Sequence, residues 1–226
     1  MLGGLGPEST SKFFMMVVRK FHEHKDGHPP LIIFSLPIPF SVEKDLVKES
    51  TNADAILPFL IEGAMLLEKA GADFIVIPCN TVHIFIDKIR QSVNIPVLSI
   101  IEETAKCVRN KNLSKVGLLA TQKSIESNLH KKVFDRFGIE IITQDREDCS
   151  DVTNAIFDIL SGNANDKTRR LLLKTAEGLI KKGSEAIVLG CTDLMLVVKQ
   201  EDVNIETMDT LDILADATVR EILRMR

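Results

Sequence analysis

Seven short apolar runs recur along the chain: LIIFSL (31–36), FIVI (74–77), PVLSI (96–100), VGLLA (116–120), IEII (139–142), AIVL (186–189) and IETM (205–208). Each is continuous rather than alternating, which is the pattern of a strand covered on both faces. Between them lie stretches with helical spacing, such as Phe13, Phe14, Val17, Val18 and Phe21, or Val82, Phe85, Ile86, Ile89 and Val93. Strands alternating with amphipathic helices predict α/β architecture, with parallel sheets flanked by helices. Gly71, Gly138 and Gly183 each follow a helical segment and precede a strand by a few residues, where a helix C-terminal glycine belongs.

The pattern is written twice. LLEKAGADFIVIPCNT and GLIKKGSEAIVLGCTD share one order: helix end, glycine, acidic residue, apolar strand, cysteine, nearby threonine. Cys191 lies 112 residues after Cys79, and each cysteine follows its glycine by eight residues. An internal repeat on that scale predicts two pseudo-symmetric lobes. The expected boundaries are 1–100 plus 205–226 for the first lobe and 101–204 for the second, with the C-terminal segment returning to the first. The GGLGPEST loop (3–10) and the LLATQKSIES stretch (118–127) read as matching strand-to-helix turns, with the first strand of the first lobe shortened to Met1 and Leu2.

Charge and composition narrow the partners. The formal net charge is −4 and the pI about 5.8, with both signs interspersed, so no footprint for a nucleic-acid backbone exists. Trp and Tyr are absent, which removes most base- and sugar-stacking platforms. No run of about 18 apolar residues or leader-like start suggests a membrane span or export. Four cysteines without a C-x-x-C pair suit a reducing compartment, so a cytoplasmic location and a small-molecule ligand are expected.

Ligands of open parallel sheets bind beyond the carboxyl ends of the strands, where Cys79 and Cys191 both fall. Facing lobes would set two sulfurs around one interlobe cleft. Each cysteine is followed by polar residues and the expected start of a helix, whose N–H groups favour a thiolate and can hold a carboxylate. Two opposed thiols suit inversion at a carbon acid: one removes the proton and the other supplies one to the opposite face. No cofactor is required by that scheme. A cysteine closing a strand can equally be packing, and Cys107 and Cys149 are read so. His83, four residues past Cys79, can orient the thiol or simply cap and pack. The FHEHKDGH cluster (His22, His24, His28) and the glycine loop fit neither a metal site nor a nucleotide loop well, so no metal or nucleotide is expected.

GGLGPEST, PCNTVH and LGCTDL, in that order, resemble the aspartate/glutamate racemase superfamily, specifically its aspartate racemase branch, over nearly the whole chain. The resemblance implies a cofactor-independent amino-acid racemase, commonly a homodimer, with Cys79 and Cys191 catalytic. Asn80, Thr81 and Thr192 fall on motif positions that hold the substrate carboxylate and amine, and Thr121 on a threonine near that pocket. Asp193 stands where glutamate is frequent. Ser41, in I-P-F-S, stands where many aspartate racemases carry the arginine of I-P-D-R, and Ser161 where a lysine is usual. Losing both cations removes the charge-assisted pairing that would favour a dicarboxylate. Two other readings remain open: a related cysteine-dependent cis-trans isomerase or decarboxylase, and a non-catalytic two-lobed amino-acid-binding protein.

Overall fold

A computed structural model describes residues 1–39, 41, 42 and 53–225. The chain divides into two units, Met1–Glu103 with Leu211–Arg226, and Thr104–Thr210.

The first unit opens with strand β1 (Leu2–Gly3), which turns through the glycine loop into helix α1 (Pro7–His22). β1 pairs in parallel with β2 (Phe34–Ser35). Helix α2 (Leu57–Lys69) leads to β3 (Ile75–Val76), helix α3 (Ile86–Ser92) and β4 (Val97–Leu98), with β3 and β4 again parallel. Helix α4 (Ile100–Asn110) follows. The helical spacing of α1 buries Phe13, Val17 and Phe21 on one face, four residues apart, and leaves Met15 and Arg19 exposed. Helix α2 meets the strands at Gly63, where an added Cβ would stand 2.6 Å from Leu2 Cδ1 and 2.8 Å from Leu36 Cδ2. The absence of a side chain there lets helix and strands close over a core of Leu2, Leu60, Leu67, Ile75, Ile77 and Ile89.

The second unit is a four-stranded parallel sheet in the order β6-β5-β7-β8, comprising β5 (Lys115–Leu119), β6 (Glu140–Thr143), β7 (Ala186–Leu189) and β8 (Glu206–Asp209). β5 leads into the short helices α5 (Gln122–Glu126) and α6 (Leu129–Asp135); helices α7 (Cys149–Leu160) and α8 (Asp166–Lys181) separate β6 from β7. All four residues of β7 are buried, as its unbroken apolar run requires. β8 adds to β7 in register Ala186 to Glu206, so the strand belongs with the second unit. Only the helix after it, α9 (Thr210–Arg224), runs back into the first; the expected return of 205–226 as a whole is corrected at that strand. Pairing with β7 along all four residues, with Met208 buried, decides this, because a strand outside any sheet would leave its backbone groups unpaired.

The three expected terminal glycines adopt positive φ: 87° at Gly71, 69° at Gly138 and 92° at Gly183. The repeat extends to the hydrogen bonds around two of them. Ala72 N–H donates to Leu67 O at 3.1 Å, and Ser184 N–H donates to Leu179 O at 3.3 Å, the same six-residue closure 112 positions apart. No helix among the described residues is long and apolar enough to cross a membrane.

Candidate active site

In the first unit, the buried run Ile75, Val76, Ile77 ends at Pro78 and Cys79. Cys79 is half-buried, while Asn80 and His83 behind it are buried and Thr81 is partly exposed. The next turn is a 3₁₀ helix over Thr81–Phe85, which becomes α3 at Ile86; the α-helix expected directly after the cysteine begins one turn later. Asn80, the residue before that turn, makes no side-chain cap to it.

His83 is fully buried. Ile100 N–H donates to Nε2 at 3.2 Å, which leaves the ring proton on Nδ1, donated to Cys79 O at 2.7 Å. One neutral imidazole thus ties the end of β3 to the start of α4. Burial pushes its pKa from 6.5 down to about 4, against the opposing effect of the bond to Cys79 O, so the ring is uncharged near neutral pH. His83 is therefore a positioning residue for the segment that carries the thiol.

The second unit repeats the placement with different chemistry. β7 ends at Leu189, and Gly190 N–H donates to Leu119 O at 2.8 Å, extending the β5–β7 ladder to the residue before Cys191. An added Cβ at Gly190 would lie 2.7 Å from Leu118 Cδ1 and 2.9 Å from Ala120 Cβ, so only glycine fits this approach without displacement. Cys191 is half-buried, and its Sγ donates to Asp193 Oδ2 at 3.7 Å; Thr192 Oγ1 donates to the same oxygen at 3.4 Å. Thr192 and Asp193 are both buried. The helix expected here shrinks to a three-residue 3₁₀ turn, Leu194–Leu196. Thr121 ends the neighbouring β5 and is buried. Its Oγ1 accepts from Ser124 N at 3.3 Å and donates to Ser124 Oγ at 3.2 Å, capping α5.

The structure thus brings Cys79, Asn80, Thr81 and His83 together at one strand end, and Cys191, Thr192, Asp193 and Thr121 together at a pair of adjacent strand ends. Ser41 is exposed; most of the SVEKDLVKES stretch (41–50) lies outside the described residues. Ser161 sits at the exposed C-terminal cap of α7. Cys149, the buried first residue of α7, has its thiol pKa pushed up by burial, in keeping with a packing role.

Three supporting residues escape the sequence reading. Thr10 Oγ1 accepts from Gly4 N–H and donates to Gly6 O, each at 3.0 Å, and so holds the glycine loop as a strand-to-helix turn. Its spacing of four from Gly6 was the available signal. Gln144 Nε2 donates to Ala120 O at 2.7 Å just before Thr121, and Thr153 Oγ1 accepts from Gln122 N just after it, at 2.9 Å. Nothing in the local sequence announces those two.

The model of the Asp/Glu/Hydantoin racemase family matches residues 2–218. The chain belongs to that family. It is an isomerase by membership. The broad specificity amino-acid racemase RacX of Bacillus subtilis is 30% identical over 228 residues, 99% of this chain and 97% of that protein. Among solved structures, a proposed Asp/Glu racemase from Yersinia pestis superposes with a TM-score of 0.85 at 28% identity, covering 98% of this chain and 97% of that one. An aspartate racemase homologue from Pyrococcus horikoshii gives 0.79 at 27%, covering 99% and 96%. Racemase neighbours of this kind carry the same parallel-sheet α/β architecture.

Proposed function

We propose that the chain is an amino-acid racemase that works without pyridoxal phosphate, with Cys79 and Cys191 as its two acid/base groups. The observation that carries this reading is the pairing. Two partly buried thiols close repeat-equivalent strands 112 residues apart, each among buried polar neighbours. Packing would explain one such cysteine; the recurrence of both at the same register position, each followed by polar residues, favours a shared chemical role. In the reaction one thiolate takes the Cα proton, and the other thiol delivers a proton to the opposite face of the resulting carbanion. Asn80, Thr81, Thr121 and Thr192 supply donors and acceptors for the substrate carboxylate and amine. Asp193 holds the Cys191 proton through Oδ2 and can accept it when that sulfur must act as the base.

The substrate side chain is expected to be uncharged or varied rather than strictly dicarboxylate, because serines stand at 41 and 161 where cations would pair with a distal carboxylate. The broad specificity of the Bacillus subtilis relative agrees with this direction. A homodimer is the expected assembly, to be checked by light scattering.

The test is NMR of L- and D-amino acids, including aspartate and glutamate, incubated with the protein in D2O. Loss of the Cα proton with inversion on one or more substrates is the expected result. The unequal surroundings of the two sulfurs also suit a one-nucleophile isomerase, and a thiol adduct in the mass spectrum after substrate exposure would favour that chemistry instead. Tight binding of an amino acid with no deuterium incorporation would overturn both.

A further inference from the structure

The turn after α1 brings two imidazoles together far along the chain from either cysteine. His22 lies in the last turn of α1, and the helix closes behind it with His24 N–H and Lys25 N–H both donating to Phe21 O at 3.0 Å. Gly27, at φ 108°, reverses the chain, and Pro29 and Pro30 hold the backbone that follows, with Pro29 buried. His28 is returned to His22 so that His22 Nε2 and His28 Nδ1 stand 3.3 Å apart, with ring centroids 5.3 Å apart and planes inclined by 54°. Both rings are exposed to solvent.

That separation admits a hydrogen bond between the two rings when one nitrogen carries a proton and the other does not. It is close to the edge of a tetrahedral metal site: an ion about 2.0–2.1 Å from both nitrogens would subtend roughly 105–110°. An octahedral ion would need the nitrogens nearer to each other. Imidazole donors select borderline transition metals over Mg2+ or Ca2+.

We propose that His22 and His28 form a two-imidazole site for a tetrahedral transition-metal ion of the Zn2+ class, completed by water. Among the described residues no group of three or more His, Cys, Asp or Glu side chains could hold a metal, so the protein supplies these two ligands and the site is open. The bound ion would staple the end of α1 to the segment entering β2. This inference is independent of the racemase reading.

The test is titration of the full, reduced chain with Zn2+, followed by nitrogen-15 NMR of the imidazoles. His22 Nε2 and His28 Nδ1 should shift together with one stoichiometry, while the buried His83 and His130 stay in place and report any effect of metal bound at thiols. His22→Gln should weaken the response of His28 at least about tenfold, and His28→Gln that of His22. Independent shifts at different Zn2+ concentrations, or a His22 response unchanged in His28→Gln, would overturn the site, as would metal uptake that leaves both rings unmoved. Circular dichroism of both variants establishes that they fold.

Discussion

Acidification should weaken the first unit through a single identifiable group, the His83 imidazole. Its folded pKa lies near 4 because burial excludes the charged form, whereas the unfolded ring takes up its proton near 6.5. The folded pKa is the lower, so the stabilisation is complete above the unfolded value and is lost as pH falls from 6.5 towards 4. Over that window the unfolded chain binds one more proton than the folded chain. A proton affinity differing by a factor of about 300 is worth about 3 kcal/mol. That is a large share of a domain's net stability. The assay is urea unfolding at several pH values between about 7 and about 4, comparing the parent with His83→Gln, which can keep both hydrogen bonds but cannot titrate. Carboxylates contribute equally to both proteins, so the difference isolates the ring. The parent should lose about 3 kcal/mol more than the variant, and the His83 ring signals should titrate near 4 in NMR. A ring titrating near 6.5, or parallel pH curves for the two proteins, would refute the claim that a neutral imidazole bridges Cys79 O and Ile100 N–H.

Replacing either Cys79 or Cys191 by Ala should abolish racemisation, measured by polarimetry or Cα deuteration, and near-full turnover in either variant would remove the two-base scheme. Asp193→Asn should lower kcat/KM by roughly 10²-fold, equally for both enantiomers because the equilibrium constant of racemisation is one. The primary isotope effect at Cα should rise only for the enantiomer whose proton Cys191 removes, and an equal rise for both would deny Asp193 a private role. Gly190→Ala should cost about 1–3 kcal/mol in chemical denaturation, because its Cβ meets Leu118 and Ala120 inside ordinary contact distance. An unchanged midpoint would mean that the end of β7 yields more easily than its packing suggests.

Elements governed by local pattern were legible in the sequence. Each expected apolar run contains or overlaps a strand, and Gly71, Gly138 and Gly183 take the left-handed conformation that their positions after helices demand. The 112-residue repeat survives down to matching hydrogen bonds at Ala72 and Ser184. Features settled by distant partners were not legible. In the first unit the runs pair for only two residues per strand, since pairing depends on the neighbouring strand's twist as well as on a run's own apolarity. β8 joined β7 because a free sheet edge was available there, which no local pattern around 205–208 encodes. The turns after the cysteines tightened to 3₁₀ geometry, and the rings of His83, His22 and His28 found partners fixed only by the folded chain.

The repeat breaks where the chemistry is decided. Position 81 is threonine where its equivalent 193 is aspartate, and position 83 is histidine where 195 is methionine. Each thiol is consequently held by its own device. Cys79 is fixed through its backbone by an imidazole, whereas the Cys191 sulfur itself donates to a carboxylate. The two devices respond differently to pH. A ring whose pKa is near 4 stays neutral across the range in which thiols ionise, so it adds no limb to a neutral-to-alkaline rate profile. Under the proposed mechanism, that profile belongs to the thiol pair, with the Asp193 carboxylate acting on Cys191. His83→Gln should then reduce kcat while leaving both limbs of the profile in place, whereas Asp193→Asn should move one of them. A limb displaced in His83→Gln would show instead that the imidazole exchanges protons with the reacting groups, which its burial behind Cys79 argues against.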